Sequence, residues 1–133
     1  MKVIGLDGRE YSWNIKLKKY RKNCSEYHKS ARLLIKEMFP AEIVVEEVVL
    51  PGTSGLTADF YIAGLSLLIE VHGEQHYSFS SFFHKNKKDF LMGQVRDRKK
   101  KEWCGLNNIR YIELPYKENI DEWRSRIING ITT

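Results

Sequence analysis

The sequence predicts an α/β domain whose elements run α, β, β, β, α, β, α behind an N-terminal β-hairpin. Three observations carry this expectation. Residues 56–71 hold two β-prone runs joined at Gly64-Leu65, as a hairpin requires. Apolar side chains recur at helical spacing in three stretches, near residues 25–39, 87–104 and 120–128. Finally, 133 residues at 42% hydrophobic content suit one core and are too few for two.

The chain opens with Val3-Ile4-Gly5-Leu6, Asp7-Gly8 and Arg9 to Trp13, and Asp-Gly between short β-prone runs predicts a hairpin. This hairpin reads as a small appendage. Residues 1–22 group it with the basic segment Lys16 to Lys22, which suits either phosphate contact or a solvated face; residues 23–133 form the main domain. Ser25 caps a helix running to about Phe39, where Pro40 stops it. Tyr27, Ala31, Leu34, Ile35 and Met38 form its apolar stripe, while Ser25, His28 and Arg32 share an adjacent face that can look along the sheet. A strand follows from Glu42 to Leu50, interrupted by Glu46 and Glu47. One of these glutamates points away from the core, either toward solvent or toward the acid of the next strand.

Pairing residues 56–63 with 65–71 about Gly64-Leu65 sets Ile62 opposite Leu67, Phe60 opposite Ile69, and Asp59 opposite Glu70. Phe60, Ile62, Leu67, Ile69 and Val71 then line a core face, and His72 joins the two acids on the other. Like charges facing each other destabilise a sheet unless a cation offsets them, so oxygen-ligated Mg²⁺ is expected here, with Mn²⁺ able to substitute.

Beyond Gly73 the residues His72, Glu74, Gln75, His76 and Tyr77 crowd together. Phe79, Phe82 and Phe83 next to Lys85, Lys87 and Lys88 suit stacking on bases, or a lid over the site. In the following helix, from about Lys87 to Cys104, Leu91, Val95 and Trp103 are expected on the buried side. Gln94, Asp97, Lys100 and Lys101 share a polar one. Five of the six residues from Arg96 to Lys101 are basic, as a phosphate-facing surface needs. A strand from Asn108 to Leu114 and an amphipathic helix carrying Ile120, Trp123, Ile127 and Ile128 close the domain.

A net charge of +5, from 22 Lys and Arg against 17 Asp and Glu, points to a polyanionic partner. Cys24 and Cys104 lack neighbours at zinc-ligand spacing and are expected as buried thiols. No apolar run approaches the roughly 18 residues of a membrane helix, and the N-terminus lacks the apolar segment of a signal peptide. The expected location is therefore the cytoplasm.

Asp59, Glu70 and the run Glu-Val-His-Gly-Glu-Gln-His at residues 70–76 resemble the PD-(D/E)XK, or restriction-endonuclease-like, nuclease superfamily. With Gln94, Asp97 and Lys100, and then residues 107–114, they are similar to the branch that contains very-short-patch repair endonucleases and small phage and bacterial homing-type nucleases. The resemblance covers about residues 25–114 and departs from the pattern at two positions. His72 stands where the motif has lysine, and Ala58 where it has proline.

It implies a mixed sheet flanked by helices and a metal-dependent DNA endonuclease, nicking or site- or structure-specific, in a bacterium or a phage-infected cell. Asp59, Glu70 and the Val71 carbonyl would hold the metal, and His72 would orient or deprotonate water. His76 would protonate the leaving oxygen or bind phosphate, and Gln75 would position the backbone. His28, Arg32, Lys85, Lys87, Lys88, Gln94, Arg96, Lys100 and Lys101 would face the nucleic acid. Duplex, branched and mismatched DNA are all open as substrates, as is RNA, and so are monomer and homodimer. The alternative is a catalytically inactive nucleic-acid-binding module of the same fold.

Overall fold

The computed structural model describes residues 1–15, 24–73 and 87–132. Strands β1 (Lys2–Ile4) and β2 (Glu10–Ser12) form the N-terminal hairpin, followed by α1 (Glu26–Met38), β3 (Val44–Val49), β4 (Thr57–Ile62), β5 (Leu67–His72), α2 (Lys87–Leu106), β6 (Arg110–Pro115) and α3 (Ile120–Thr132). The main sheet has the order β3-β4-β5-β6. Its first three strands are antiparallel and β6 runs parallel to β5, so the sheet is mixed, with α2 in the crossover that a parallel pair requires.

Local sequence accounts for the elements. The Ser25 hydroxyl accepts from the His28 N–H at 3.1 Å and caps α1. Between β4 and β5 a short 3₁₀ turn ends at Ser66, whose φ of 48° lets the chain reverse. The β4–β5 register is the expected one: Ile62 pairs with Leu67 and Phe60 with Ile69.

Each face of the sheet is packed. Phe60, Ile62, Leu67 and Ile69 meet Ala31, Leu34 and Ile35 of α1 and Trp123 and Ile127 of α3, with Val71 alongside. The opposite face, expected to carry only chemistry, is also core: Tyr61 and Leu68 pack with Trp103, Cys104, Val3 and Trp13. The N-terminal hairpin is thus no appendage. Trp13 lies 4.6 Å from Tyr61 and 5.2 Å from Trp103, ring to ring. The Asn107 side chain accepts from the Ile4 N–H at 2.6 Å and donates to the Ile4 carbonyl at 2.9 Å, serving β1 as a neighbouring strand would. Gly5 and Gly52 touch backbone to backbone, where any side chain would collide.

Four apolar residues lie elsewhere than expected. Leu91 and Tyr27 are exposed, as are Ile120 and Ile128, because α2 buries only Trp103 and Cys104 near its end, and because α1 and α3 each present a narrower stripe than their sequences allow.

One irregularity matters for the site. Val45 and Val48 enter the same core, and so do Ala58 and Tyr61, although strict alternation sends residues three apart to opposite faces. The ladder pairs Glu46 with Phe60 and Val48 with Ala58 but skips Glu47 and Asp59, and Glu47 has a left-handed φ of 53°. Asp59 thus sits at a rung where β4 is released from regular pairing.

Candidate active site

Because the ladder ends at Phe60–Ile69, the Asp59 carboxylate is free to turn into the gap between β4 and β5. There its Oδ2 accepts the Val71 N–H at 2.8 Å. Glu70, one position before Val71, is 3% exposed, and its carboxyl lies within hydrogen-bonding reach of Asp59. Burial pushes the Glu70 carboxyl well above the usual carboxylate range. The charge of Asp59 pushes it further, and Lys100 opposes both. The predicted cross-strand pair of acids is therefore present as a pair of side chains, without backbone pairing at that rung.

Lys100 is the cation at this centre. Its Nζ donates to Glu70 Oε1 at 3.0 Å, and the side chain is 13% exposed. The adjacent Lys101 is directed elsewhere, to Glu113 on β6. Arg96, Arg98 and Lys99 of the same helix point outward, as do Gln94, Lys87 and Lys88. Of the five basic residues between 96 and 101, four form an exposed surface and one is drawn inward.

His72 is buried and turned toward β6. Its Nε2 lies 3.3 Å from the Tyr111 hydroxyl and its Nδ1 3.5 Å from Glu113 Oε2. Parallel pairing sets Glu113 beside Glu70, so the sheet carries Asp59, Glu70 and Glu113 on three successive strands. The Tyr111 hydroxyl is pushed far above its ordinary range, by burial first and then by the charges of Glu70, Glu113 and Asp97. Cys104 beneath Glu70 is pushed up to about 12, again by burial first. It is an inert buried thiol at neutral pH.

On the other side of Asp59 stands α1. His28, 4% exposed, stacks on Phe60 with centroids 4.5 Å apart. Its Nε2 is 2.7 Å from Glu46 Oε1, and its Nδ1 is 3.8 Å from Asp59 Oδ1. Arg32 grips Glu46 with two bonds, Nε to Oε2 at 2.7 Å and Nη2 to Oε1 at 2.9 Å. Burial works to raise the Glu46 carboxyl, and the bonds from Arg32 and His28 overcome it, leaving that carboxyl below its ordinary value. His28 and Arg32, expected at a nucleic-acid surface, thus face inward.

Gln75, His76 and Lys85 lie outside the described residues. Sequence reasoning missed Glu113 and Tyr111 as partners of His72. Their one signal was the alternation of polar with buried residues in residues 111–114. Among the described residues, no group of three or more His, Cys, Asp or Glu side chains is arranged to hold a metal ion. No helix among them is long and apolar enough to cross a membrane.

Comparison with known proteins finds similarity to uncharacterised viral proteins. Protein 307L of Invertebrate iridescent virus 6 is 45% identical over 65 residues, which are 49% of this chain and 33% of the viral protein. Protein 033L of Invertebrate iridescent virus 3 is 38% identical over 63 residues, 47% of this chain and 32% of its own. Protein 094L of Frog virus 3 (isolate Goorha) is 38% identical over 71 residues, 52% of this chain and 46% of its own. The matched segments span less than half the length of each of these relatives. No family model matches the chain, and no solved structure does.

Proposed function

We propose that this chain is a metal-dependent endonuclease of the restriction-endonuclease-like class that hydrolyses phosphodiester bonds in DNA. The observation that carries the reading is the meeting of Asp59 and Glu70 beside Lys100 at a buried end of the sheet. Two acids brought together where water is scarce repel each other, and the Glu70 carboxyl is raised by its burial first and by the charge of Asp59 second. A divalent cation relieves the repulsion. The oxygens of Asp59 and Glu70, with the Val71 carbonyl, make a hard donor set that suits Mg²⁺, which is commonly held by one or two carboxylates and keeps several of its waters. When bound, such an ion supplies Lewis-acid polarisation of the phosphate and a more acidic water.

The remaining roles fall to the chain itself. Lys100 places an ammonium beside Glu70, where negative charge accumulates on a phosphate under attack, and so offers from α2 the positive charge that position 72 lacks. His72 holds β5 to β6 through Tyr111 and Glu113, leaving water activation to groups nearer Asp59. The exposed Arg96, Arg98 and Lys99 track the backbone of the nucleic acid.

The test is incubation of the protein with supercoiled plasmid, branched and mismatched DNA in Mg²⁺, comparing nicked with linear product. Cleavage is expected with Mg²⁺ or Mn²⁺ and is expected to vanish in Asp59→Ala and in Glu70→Ala. Undiminished cutting by a folded double variant overturns the proposal. The second reading, a binding module without catalysis, rests on the exposed cations of α2. It is favoured if DNA is bound equally with and without metal and is never cut. On either reading, Arg96→Ala, Arg98→Ala and Lys99→Ala each lower the slope of log affinity against log salt by about 0.9 for every phosphate left without its cation.

A further inference from the structure

We infer that His28 is a positioning residue, which Glu46 and Arg32 hold in place so that it fixes the Asp59 carboxylate toward Glu70. The inference rests on reading Asp59 and Glu70 as the reactive pair.

Asp59 occupies a rung without ladder pairing, so its backbone alone does not fix its side chain. Among the described residues, two groups besides Glu70 flank the carboxylate: the Val71 N–H bonds Oδ2 from β5 at 2.8 Å, and His28 Nδ1 stands 3.8 Å from Oδ1 on the α1 side, close enough for electrostatic attraction and too long for a hydrogen bond. The His28 ring has little freedom. Phe60 stacks on one of its faces, Glu46 meets its far nitrogen, and the Ser25 hydroxyl anchors the backbone N–H of His28 at the first turn of the helix. Glu46 is immobilised in turn by the two-pronged grip of Arg32, one helical turn beyond His28. The series runs from Arg32 through Glu46 and His28 to Asp59, and His28 and Glu46 are buried.

Stability gives no sufficient reason for such an array. Arg32 by itself neutralises Glu46, and buried ion pairs are often replaced by apolar side chains of similar volume at no cost in stability. Placement of Asp59 does give a reason, because the groups that orient a ligating carboxylate commonly set metal affinity by factors of about 10 to 100.

Two substitutions separate these readings, because they copy different nitrogens of the ring. The amide of asparagine replaces Nδ1, which faces Asp59, and that of glutamine replaces Nε2, which faces Glu46. Mn²⁺ affinity of the full chain, measured by electron paramagnetic resonance of the free ion, is expected to fall about tenfold or more in His28→Gln and by about threefold or less in His28→Asn. The reverse order, or equal affinities, overturns the inference and leaves His28 as a brace for Glu46. Where either variant fails to fold, the joint replacement His28→Leu, Arg32→Met and Glu46→Leu serves. It is expected to keep its unfolding midpoint while losing about tenfold in Mn²⁺ affinity, and unchanged affinity overturns the inference. Asp59→Asn and Glu70→Gln are the controls. If they bind Mn²⁺ as the unaltered chain does, the metal reading itself fails; if they abolish binding while the His28 pair behaves alike, only the role of His28 fails.

Discussion

Strands β4 and β5 meet on different terms at their two ends. At the turn, Ile62 faces Leu67 in regular pairing and both side chains are fully buried. Three rungs away Asp59 and Glu70 occupy the equivalent places, the backbone pairing stops, and a carboxylate accepts the N–H of Val71. The apolar end holds the strands together, and the acidic end is held by its surroundings, namely α1, Lys100 and β6. A register set at the apolar turn thereby delivers two mutually repelling groups to one place. This division permits the acids to be costly without the hairpin coming apart.

The largest expected effect breaks the acidic end alone. On the proposed function, Asp59→Ala should lower Mg²⁺-dependent cleavage by more than about 10³-fold, the scale on which catalytic units fail when one member is lost, with the fold intact by circular dichroism. At the turn end the consequences invert. Leu67→Ala removes a fully buried side chain and should cost about 2–5 kcal/mol in denaturant unfolding, while cleavage by the remaining folded fraction persists. If Leu67→Ala abolishes cleavage at full foldedness, the two ends are not separable.

A subtler test uses pH. The Glu70 carboxyl lies above its ordinary 4.5 in the folded chain, so the folded state retains a proton that the unfolded state releases. The resulting stabilisation is complete below about pH 4.5 and is lost as the pH rises through the folded value. In chelator, Tm should therefore fall with rising pH more steeply in the unaltered chain than in Glu70→Gln, and Mg²⁺ should restore it at the upper end. A Glu70→Gln profile parallel to the unaltered one means that Glu70 is not the group that titrates. The smallest effect concerns the strand between the two ends. The Tyr61 hydroxyl is buried without a hydrogen-bond partner among the described residues, so Tyr61→Phe should be neutral or stabilising by up to about 1 kcal/mol in thermal unfolding.

The order of elements and the β4–β5 register were legible because each depends on neighbours in sequence, a cap, a turn or an alternation, whereas the mixed sheet was expected from the resemblance alone. The approach of Asp59 to Glu70 followed from that register. What escaped depends on the phase of one element against another. Sequence places His28 and Arg32 on one face of α1, yet only docking decides whether that face meets solvent or Glu46. Likewise five cations between Arg96 and Lys101 look alike until the rotation of α2 selects Lys100 for Glu70. The packing of the hairpin against Trp103 was hidden for the same reason, since it joins opposite ends of the chain.

That last contact bears on the order in which the molecule is made. β1 is synthesised well before Asn107, which bonds to Ile4 from 103 positions further along the chain. At synthesis rates of about 5–20 residues per second, the N-terminal hairpin waits roughly 5–20 s with one edge unclaimed. Contacts between such distant positions also slow folding. During nascent growth β1 is therefore sealed long after it is made, and the interval before Asn107 arrives is when a chaperone or a neighbouring chain has access to it.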